Sequence, residues 1–232
     1  METGSAPPMV IAHRGASGYA LENSIAAFRE AAVRQADGIE LDVHATSDGE
    51  FLVHHDPAIS GIGPIAGLPA SRFATHRLAN GEPLPRLSDA LSAASGLDVW
   101  VEVKGLESRW DDSLLQALGN GPTPDRYAVH SFDHRIIARL GGLQPGLRRG
   151  VLLTSYLVDS VAAVHAADAD ALWMEASFID SDLVENMTAA GVSVIAWTVN
   201  SESEIRRLTA LGVHGICGNY PDLIRENSRI HA

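Results

Sequence analysis

The stretch Gly38-Ile39-Glu40-Leu41-Asp42-Val43 decides the fold of this chain, because it is a short apolar strand that carries carboxylates at alternate positions. A helical pattern precedes it at about 23–35, and the short apolar run Val10-Ile11-Ala12 stands before that. The same alternation of short apolar runs with helical patterns continues along the chain. Strands that alternate with helices pair in parallel and are joined by crossovers, so the sequence predicts an α/β fold.

Eight strands can be counted when the run 51–53 is treated as an extension of the loop after the second strand. Besides 10–12 and 38–43, the predicted strands are 99–103, 126–130, 150–153, 171–174, 192–196 and 215–217. Helices are predicted near 23–35, 88–95, 109–119, 134–140, 158–167, 180–190, 202–211 and 221–228, with stops at Gly96, Gly191 and Gly212. This count predicts a single closed (β/α)8 TIM barrel. A doubly wound open sheet is the alternative that periodicity leaves open.

The length and composition fit one globular domain over 1–232, with a short disordered leader at about 1–8. Acidic residues number 29 and basic residues 17, which gives a net charge of −12, and no run of Lys or Arg reverses the sign locally. This balance predicts that the protein binds neither nucleic acid nor anionic membranes. A cytoplasmic location is expected, since the sequence shows no secretory leader and no apolar stretch of membrane-spanning length.

Reactive side chains collect where the first strands end. In a barrel the active site lies at the carboxyl ends of the strands, and residues two apart on a strand point to the same face. These positions hold His13, Arg14, Glu40, Asp42, His55, Glu102 and Lys104. One charged residue at a strand end is usually a solvated loop residue, but this many together predict a functional site at the open end of the barrel.

The carboxylates of Glu40, Asp42 and Glu102 are expected to point into the barrel without a matching excess of arginine. Buried carboxylates are rare unless they are paired or bound to a metal, and their oxygens suit a hard divalent cation. Taken together, the three carboxylates favour a metal site over a structural role. For any one of them alone, a metal site and a structural role are about equally expected. Without the ion, mutual repulsion should raise the pKa of all three carboxyl groups.

Two histidines, His13 and His55, are predicted to be functional. A pair of imidazoles beside a metal can supply a general base and a general acid near neutral pH. Arg14 and Lys104 then fit as ligands for an anionic group. The other eight histidines are interpreted as ordinary surface or core residues, with His44 and His54 as candidates for a supporting role. A metal, two cations and two imidazoles describe phosphoryl chemistry better than carbonyl chemistry.

An ordered set of motifs runs through the chain. Its first half carries His13-Arg14-Gly15, Glu22-Asn23-Ser24, the stretch 38–43, Thr46-Ser47-Asp48-Gly49 and His54-His55-Asp56. Its second half carries Glu102-Val103-Lys104, Ser131-Phe132-Asp133, Trp197-Thr198-Val199-Asn200 and Asn219-Tyr220-Pro221-Asp222. From about residue 10 to residue 224 the set resembles the glycerophosphodiester phosphodiesterase family. The first half is highly specific as an ordered set, while each later motif alone would be weak.

The resemblance implies a (β/α)8 barrel, a Mg²⁺ or Ca²⁺ ion, and hydrolysis of glycerophosphodiesters to glycerol 3-phosphate and an alcohol. By position it implies metal ligation by Glu40, Asp42 and Glu102, catalysis by His13 and His55, and phosphate contacts from Arg14 and Lys104. Trp197 falls where the family has a pocket aromatic, and a core tryptophan is an equally good interpretation.

The chain departs from the family pattern at Leu21 and at Gly218-Asn219. These departures are expected to alter loop shape and substrate detail without touching a catalytic position. Two other functions are also considered: a phospholipase D-like lyase that acts on lipid head groups, and a barrel that binds anionic metabolites without turnover. The second should have lost a reactive residue, and none is lost.

The longest irregular segment is an excursion at 57–86, after the second strand. It is short, contains several Gly and Pro residues, and has no Trp and no basic cluster. It should pass over the mouth of the barrel as a cap whose apolar residues pack it onto the barrel. A membrane-docking element would need a continuous apolar face with Trp or basic residues at its edge. The expected partner is therefore a small, water-soluble glycerophosphodiester, with no stable membrane association.

Overall fold

The computed structural model describes residues 6–229. Its strands, in chain order, are β1 (Met9–Ala12), β2 (Gly38–Ala45), β3 (Phe51–Val53), β4 (Ala58–Ile59), β5 (Gly63–Pro64), β6 (Asp98–Val103), β7 (Tyr127–Ser131), β8 (Arg148–Leu153), β9 (Ala171–Glu175), β10 (Ser193–Trp197) and β11 (Gly215–Gly218). Its α-helices are α1 (Ile25–Val33), α2 (Leu87–Ala93), α3 (Asp111–Gly119), α4 (His134–Leu143), α5 (Ser160–Ala166), α6 (Ser181–Ala189), α7 (Glu202–Leu211) and α8 (Pro221–Asn227).

Eight of the strands form a closed parallel barrel. Pairing runs β1-β11-β10-β9-β8-β7-β6-β2, and β1 returns to β2 with Ile11 opposite Gly38 and Ala12 opposite Ile39. The predicted TIM barrel is therefore confirmed, and the open doubly wound sheet is wrong. β3 pairs antiparallel with β2 outside the ring, so the run 51–53 is an addition to the loop after β2, as the strand count required.

The alternation of side chains along the strands explains the closure. One face of each strand fills the barrel, with a cluster that includes Ile11, Trp100, Trp173 and Ile195. The other face packs against the helices, where strand residues such as Leu41 join a second, larger cluster. Both faces are buried, and parallel barrel strands accordingly consist of nearly continuous apolar runs.

The helices begin and end within about three residues of the predicted bounds. Ser24 caps α1 by accepting a hydrogen bond from Ala27 N at 3.1 Å. Gly212 ends α7 in the left-handed conformation at φ 81°, and Gly96 and Gly191 also have positive φ. A residue without a Cβ adopts this conformation at little cost, so the three predicted helix stops are confirmed.

The excursion 57–86 forms a small layer of its own. The two-residue strands β4 and β5 pair antiparallel, and the apolar side chains of Ile59, Ile65, Phe73 and Leu84 are buried with Leu52. The carboxylate of Glu82 accepts hydrogen bonds from Ile25 N and Ala26 N at the start of α1. These apolar residues form a small cluster of their own with Leu52 of β3, whereas they were expected to pack the segment onto the barrel. The segment itself lies against α1 and the β2–β3 loop.

Residues 1–5 of the predicted leader lie outside the described residues, and within 6–8 the side chain of Pro8 is buried. Over residues 6–229, no helix is both long enough and apolar enough to cross a membrane.

Candidate active site

The predicted residues meet at one cavity of about 150 Å³ at the carboxyl ends of the strands. Seven of the eight line it: His13, Arg14, Glu40, His55, Glu102, Lys104 and Trp197. Asp42 is the eighth, and it contacts Arg14 and Lys104 directly. From the excursion 57–86, no residue lines this cavity, so the expectation that the excursion passes over the mouth is wrong.

Glu40, Asp42 and Glu102 form a compact buried group. Ligand oxygens of all three lie within 4.8 Å of one another, because the β2–β6 register sets Asp42 opposite Glu102 and Glu40 lies two residues earlier on the same face. Three hard oxygen donors with a combined negative charge are the donor set that Mg²⁺ and Ca²⁺ prefer. The residues present therefore fit a divalent cation.

Two cations already lie against this group. Lys104 Nζ is 2.9 Å from Asp42 Oδ1 and 2.7 Å from Glu102 Oε1. Arg14 Nε is 3.1 Å from Asp42 Oδ2, and Arg14 Nη1 is 2.9 Å from Glu22 Oε1. Arg14 and Lys104, which were predicted as ligands for an anionic group, therefore also neutralise part of the charge of the carboxylates.

The three carboxyl groups consequently differ in pKa. Burial, followed by repulsion from Asp42 and Glu102, raises the pKa of Glu40 well above its usual value. Burial and the Asp42 charge raise the pKa of Glu102 to about 7. Burial acts in the same direction on Asp42, but the neighbouring Lys104 and Arg14 charges overcome it and lower the pKa to about 2. The prediction that all three values rise is therefore confirmed for Glu40 and Glu102 and wrong for Asp42.

The motif Glu22-Asn23-Ser24 supports the site. Asn23 donates from Nδ2 to Asp42 Oδ2 at 2.7 Å and accepts from Asp42 N at 3.3 Å. It does so from a left-handed backbone at φ 54°, a conformation that asparagine tolerates better than most residues. Glu22 accepts a hydrogen bond from Arg14 Nη1, and Ser24 caps the start of α1. Each residue of the motif therefore has a contact that the sequence pattern did not reveal.

Arg14 also has a left-handed backbone, at φ 54°. Its amide N donates to Glu40 Oε2 at 3.0 Å, so the backbone after β1 holds a carboxylate of β2. The next residue, Gly15, lies so close to α1 that a Cβ would come within 2.6 Å of the Ala27 backbone. The glycine of the His13-Arg14-Gly15 motif is thus required by a close approach between the strand end and the helix.

His13 is held by the residue at which the chain departs from the family pattern. Its Nδ1 lies 2.9 Å from Asn219 Oδ1, and its Nε2 lies 4.0 Å from Glu40 Oε2. Burial, together with the Arg14 charge, lowers the pKa of His13 to about 4, so the imidazole is neutral near pH 7. The departure at Gly218-Asn219 thus contacts a predicted catalytic residue, which its expected effect on loop shape and substrate detail alone did not include.

His55 lies at the more open side of the cavity, with 41% of its side chain exposed. Its Nδ1 lies 2.9 Å from Asp56 Oδ1. Its backbone carbonyl accepts a hydrogen bond from His44 Nε2 at 3.1 Å, so His44 has the supporting contact that was expected of it. Both predicted histidines therefore have an orienting partner at Nδ1.

Five further residues line the cavity that the sequence interpretation had left out: His130, Phe132, Leu152, Trp173 and Cys217. Trp197 packs edge-on against Phe132 with ring centroids 5.7 Å apart, so it is a wall of the cavity rather than a core residue alone. The interpretation of His130 as an ordinary surface or core residue does not account for its place in the lining of the cavity. Its position on β7, two residues after Ala128 and directly before the Ser131-Phe132-Asp133 motif, was the available signal for an inward-facing side chain.

The chain matches a known protein family over nearly its whole length. The model of the family described as the glycerophosphoryl diester phosphodiesterase family matches residues 13–223. A glycerophosphodiester phosphodiesterase of Caldanaerobacter subterraneus subsp. tengcongensis is 31% identical, over 93% of this chain and 96% of the relative. One from Bacillus subtilis (strain 168) is 28% identical, over 94% of this chain and 85% of the relative.

A solved structure shows the same likeness. A phosphodiesterase of Oleispira antarctica, in complex with the product sn-glycerol-3-phosphate, superposes with a TM-score of 0.88 at 26% identity. The superposition covers 95% of this chain and 96% of that chain.

Proposed function

The chain belongs to the glycerophosphoryl diester phosphodiesterase family and is a phosphoric diester hydrolase, and on that premise we propose how its own residues carry out the reaction. The proposed reaction is metal-dependent hydrolysis of a small glycerophosphodiester to glycerol 3-phosphate and an alcohol. The observation that carries it is the convergence of three carboxylates, two cations and two imidazoles at one cavity. The product found in the similar Oleispira antarctica structure supports the substrate class.

Glu40, Asp42 and Glu102 are the residues that would hold the divalent ion. When bound, Mg²⁺ or Ca²⁺ supplies Lewis-acid stabilisation of negative charge on the phosphate. Arg14 and Lys104 lie beside these carboxylates and border the cavity, so we assign them to the phosphate oxygens. Arginine suits this role because its guanidinium can bind two oxygens at once, and lysine contributes a compact positive charge.

We assign His13 as the general base. Asn219 Oδ1 accepts the proton of Nδ1, which leaves the lone pair of Nε2 on the side of Glu40 and the cavity. Nε2 therefore removes the proton from the attacking oxygen, which is water or a neighbouring hydroxyl of the substrate. The low pKa of His13 agrees with this role, because the neutral imidazole is the form that accepts a proton.

We assign His55 as the general acid. The carboxylate of Asp56 lies 2.9 Å from Nδ1 and orients the ring. Nε2 then gives its proton to the leaving alkoxide as the phosphorus–oxygen bond breaks. With water as the attacker, His13 accepts one proton and His55 donates one, so the proton balance closes and solvent at the mouth restores both residues. With the hydroxyl as the attacker, the same transfers give a cyclic phosphate, which water then opens with the two histidines in exchanged roles.

Product identification by ³¹P NMR tests the proposed function. Glycerophosphocholine and glycerophosphoethanolamine are incubated with the protein, with and without Mg²⁺ or Ca²⁺. We expect glycerol 3-phosphate and the free alcohol, and only with the ion. A cyclic phosphate as the final product would instead support a lyase, and binding without turnover would support a non-catalytic barrel.

The cytoplasmic location expected from the sequence stays a prediction.

A further inference from the structure

His130 has no assigned role in the proposed reaction, yet its side chain lines the catalytic cavity. It points inward from β7 and is 1% exposed. Neither ring nitrogen has a hydrogen-bond partner within residues 6–229. The nearest acidic atom, Glu40 Oε1, is 3.9 Å from Nε2, which is too far for a direct hydrogen bond.

A buried imidazole without partners is costly. Each unsatisfied polar atom costs about 1–3 kcal/mol, and folded proteins leave few of them. The partner of His130 must therefore come from the one side that is not filled by protein, which is the cavity.

The imidazole is also fixed in place. Its ring centroid lies 4.2 Å from that of Trp173, and Trp100 packs edge-on at 5.8 Å. The neighbouring strand carries Gly150, where a Cβ would lie 2.8 Å from Trp173 Cδ1 and 3.2 Å from His130 Cβ. The glycine at position 150 therefore leaves the space that the side chains of Trp173 and His130 need. Such packing is expected of a group that has to present its nitrogen at a set position.

The surroundings select the chemistry of the missing partner. A hydroxyl can accept from Nε2–H and donate to Glu40 Oε1 at the same time, whereas an anionic oxygen can only accept. An oxygen about 2.8 Å from both atoms spans their separation without moving either. Trp173 and Trp197 line the same cavity, and their apolar rings suit the C–H groups that carry a hydroxyl. A small polyol group satisfies both requirements.

We propose that His130 hydrogen-bonds a hydroxyl of the glyceryl group of the substrate, and that it thereby selects glyceryl phosphodiesters over diesters that lack this hydroxyl. This inference rests on the proposed function. It makes His130 a substrate-binding residue that determines specificity, separate from the acid and base pair. A site built to bond a hydroxyl rejects the analogue without it, because its own polar groups are then left unpaired.

The test compares substrates that differ by one hydroxyl. Glycerophosphocholine is measured beside the phosphocholine esters of propane-1,2-diol and propane-1,3-diol, and the readout is the ratio of kcat/KM for the glyceryl ester to that for each diol ester. In the wild type at least one ratio should exceed about 10. In His130→Phe that ratio should fall about 10-fold or more, and His130→Gln or His130→Asn should restore part of it by returning a donor near Nε2 or Nδ1.

A binding measurement separates this inference from the proposed function. Calorimetry compares glycerol 3-phosphate with the monophosphates of the two diols, on the wild type and on His130→Phe. We expect the variant to lose affinity for glycerol 3-phosphate selectively, and this result would support the inference even if no diester were turned over. Unchanged ratios and an equal loss of affinity for all three phosphates would overturn it, because His130 would then bond only water or support Glu40.

Discussion

Lys104 Nζ lies 2.9 Å from Asp42 Oδ1, and because Arg14 Nε also contacts Asp42, at 3.1 Å, Asp42 differs from the two carboxylates beside it. Lys104 is the largest influence that lowers the pKa of Asp42, whereas burial dominates at Glu40 and Glu102. The group therefore holds one firmly ionised carboxylate and two that retain protons more readily. A divalent ion that binds here has to compete with both Lys104 and protons.

The raised pKa of Glu102 predicts how the metal-free protein responds to pH. The folded-state pKa of about 7 exceeds the ordinary value of 4.5, so the protonated side chain favours folding below about pH 4.5. This contribution is lost as the pH rises towards 7, because the folded state then holds a proton that the unfolded state has released. The melting temperature of EDTA-treated protein should fall across this window, and the fall should shrink in Glu102→Gln.

Glu185→Gln is the matched control, since Glu185 is an exposed residue of α6. It should follow the wild-type pH profile. If Glu102→Gln shows the same fall as the wild type, Glu102 does not retain its proton in the folded state.

The contact between Asn219 and His13 predicts a shift in the pH–rate profile. His13 acts as a base only when neutral, and its pKa of about 4 places the acidic limb of kcat/KM at low pH. Asn219→Asp would set a carboxylate against Nδ1, which favours the imidazolium and raises that pKa. The acidic limb should therefore move to higher pH in Asn219→Asp. Asn200→Asp provides a comparison, because the Asn200 side chain contacts the Asn219 backbone instead. An unmoved limb in Asn219→Asp would remove His13 from the role of base.

The two assigned histidines should be needed for turnover but not for folding. His13→Ala and His55→Ala should each lower kcat by roughly 10²–10⁴-fold, the usual contribution of general acid–base catalysis. Melting temperatures should change little, since neither imidazole belongs to the apolar core clusters. His165→Ala, on the exposed face of α5, controls for the loss of an imidazole far from the cavity. Near-normal kcat in purified His13→Ala would refute its assignment.

The packing of the excursion predicts the substrate class. Ile59, Ile65 and Phe73 are at most 4% exposed, so the apolar residues of this segment fill its own small core and offer no continuous face to a bilayer. Glycerophosphocholine should therefore have a higher kcat/KM than lysophosphatidylcholine at equal concentration. A clear preference for the lipid would contradict this prediction and favour the lyase that acts on lipid head groups.

Much of the fold could be predicted because it depends on local pattern. The alternation in 38–43 sets Glu40 and Asp42 on one face, and glycines such as Gly212 end helices through a backbone conformation that can be inferred from one residue. The barrel follows once eight such strands are counted. The acidic group was predictable for the same reason, since each of its members lies on a strand whose direction was known.

The remaining features depend on contacts between residues that are distant in sequence. Asn219 contacts His13 across 206 positions, and no local pattern indicates which loop of a barrel reaches which strand end. The pairing of Lys104 with Asp42 likewise depends on where a flexible side chain settles between two strands. His130 was missed because a single histidine in an apolar strand is compatible with both a core and a cavity position until its neighbours are known.

Metal dependence of turnover is the measurement that tests the central claim most directly. The protein is freed of metal with EDTA, its metal content is measured, and hydrolysis of glycerophosphoethanolamine is followed while Mg²⁺ or Ca²⁺ is added back, with Glu40→Gln in parallel. We predict no detectable turnover without the ion, recovery on binding of one ion per chain, and little recovery in Glu40→Gln. Undiminished hydrolysis by protein shown to be metal-free, or no glycerol 3-phosphate from protein shown to be metal-loaded, would contradict the proposed function.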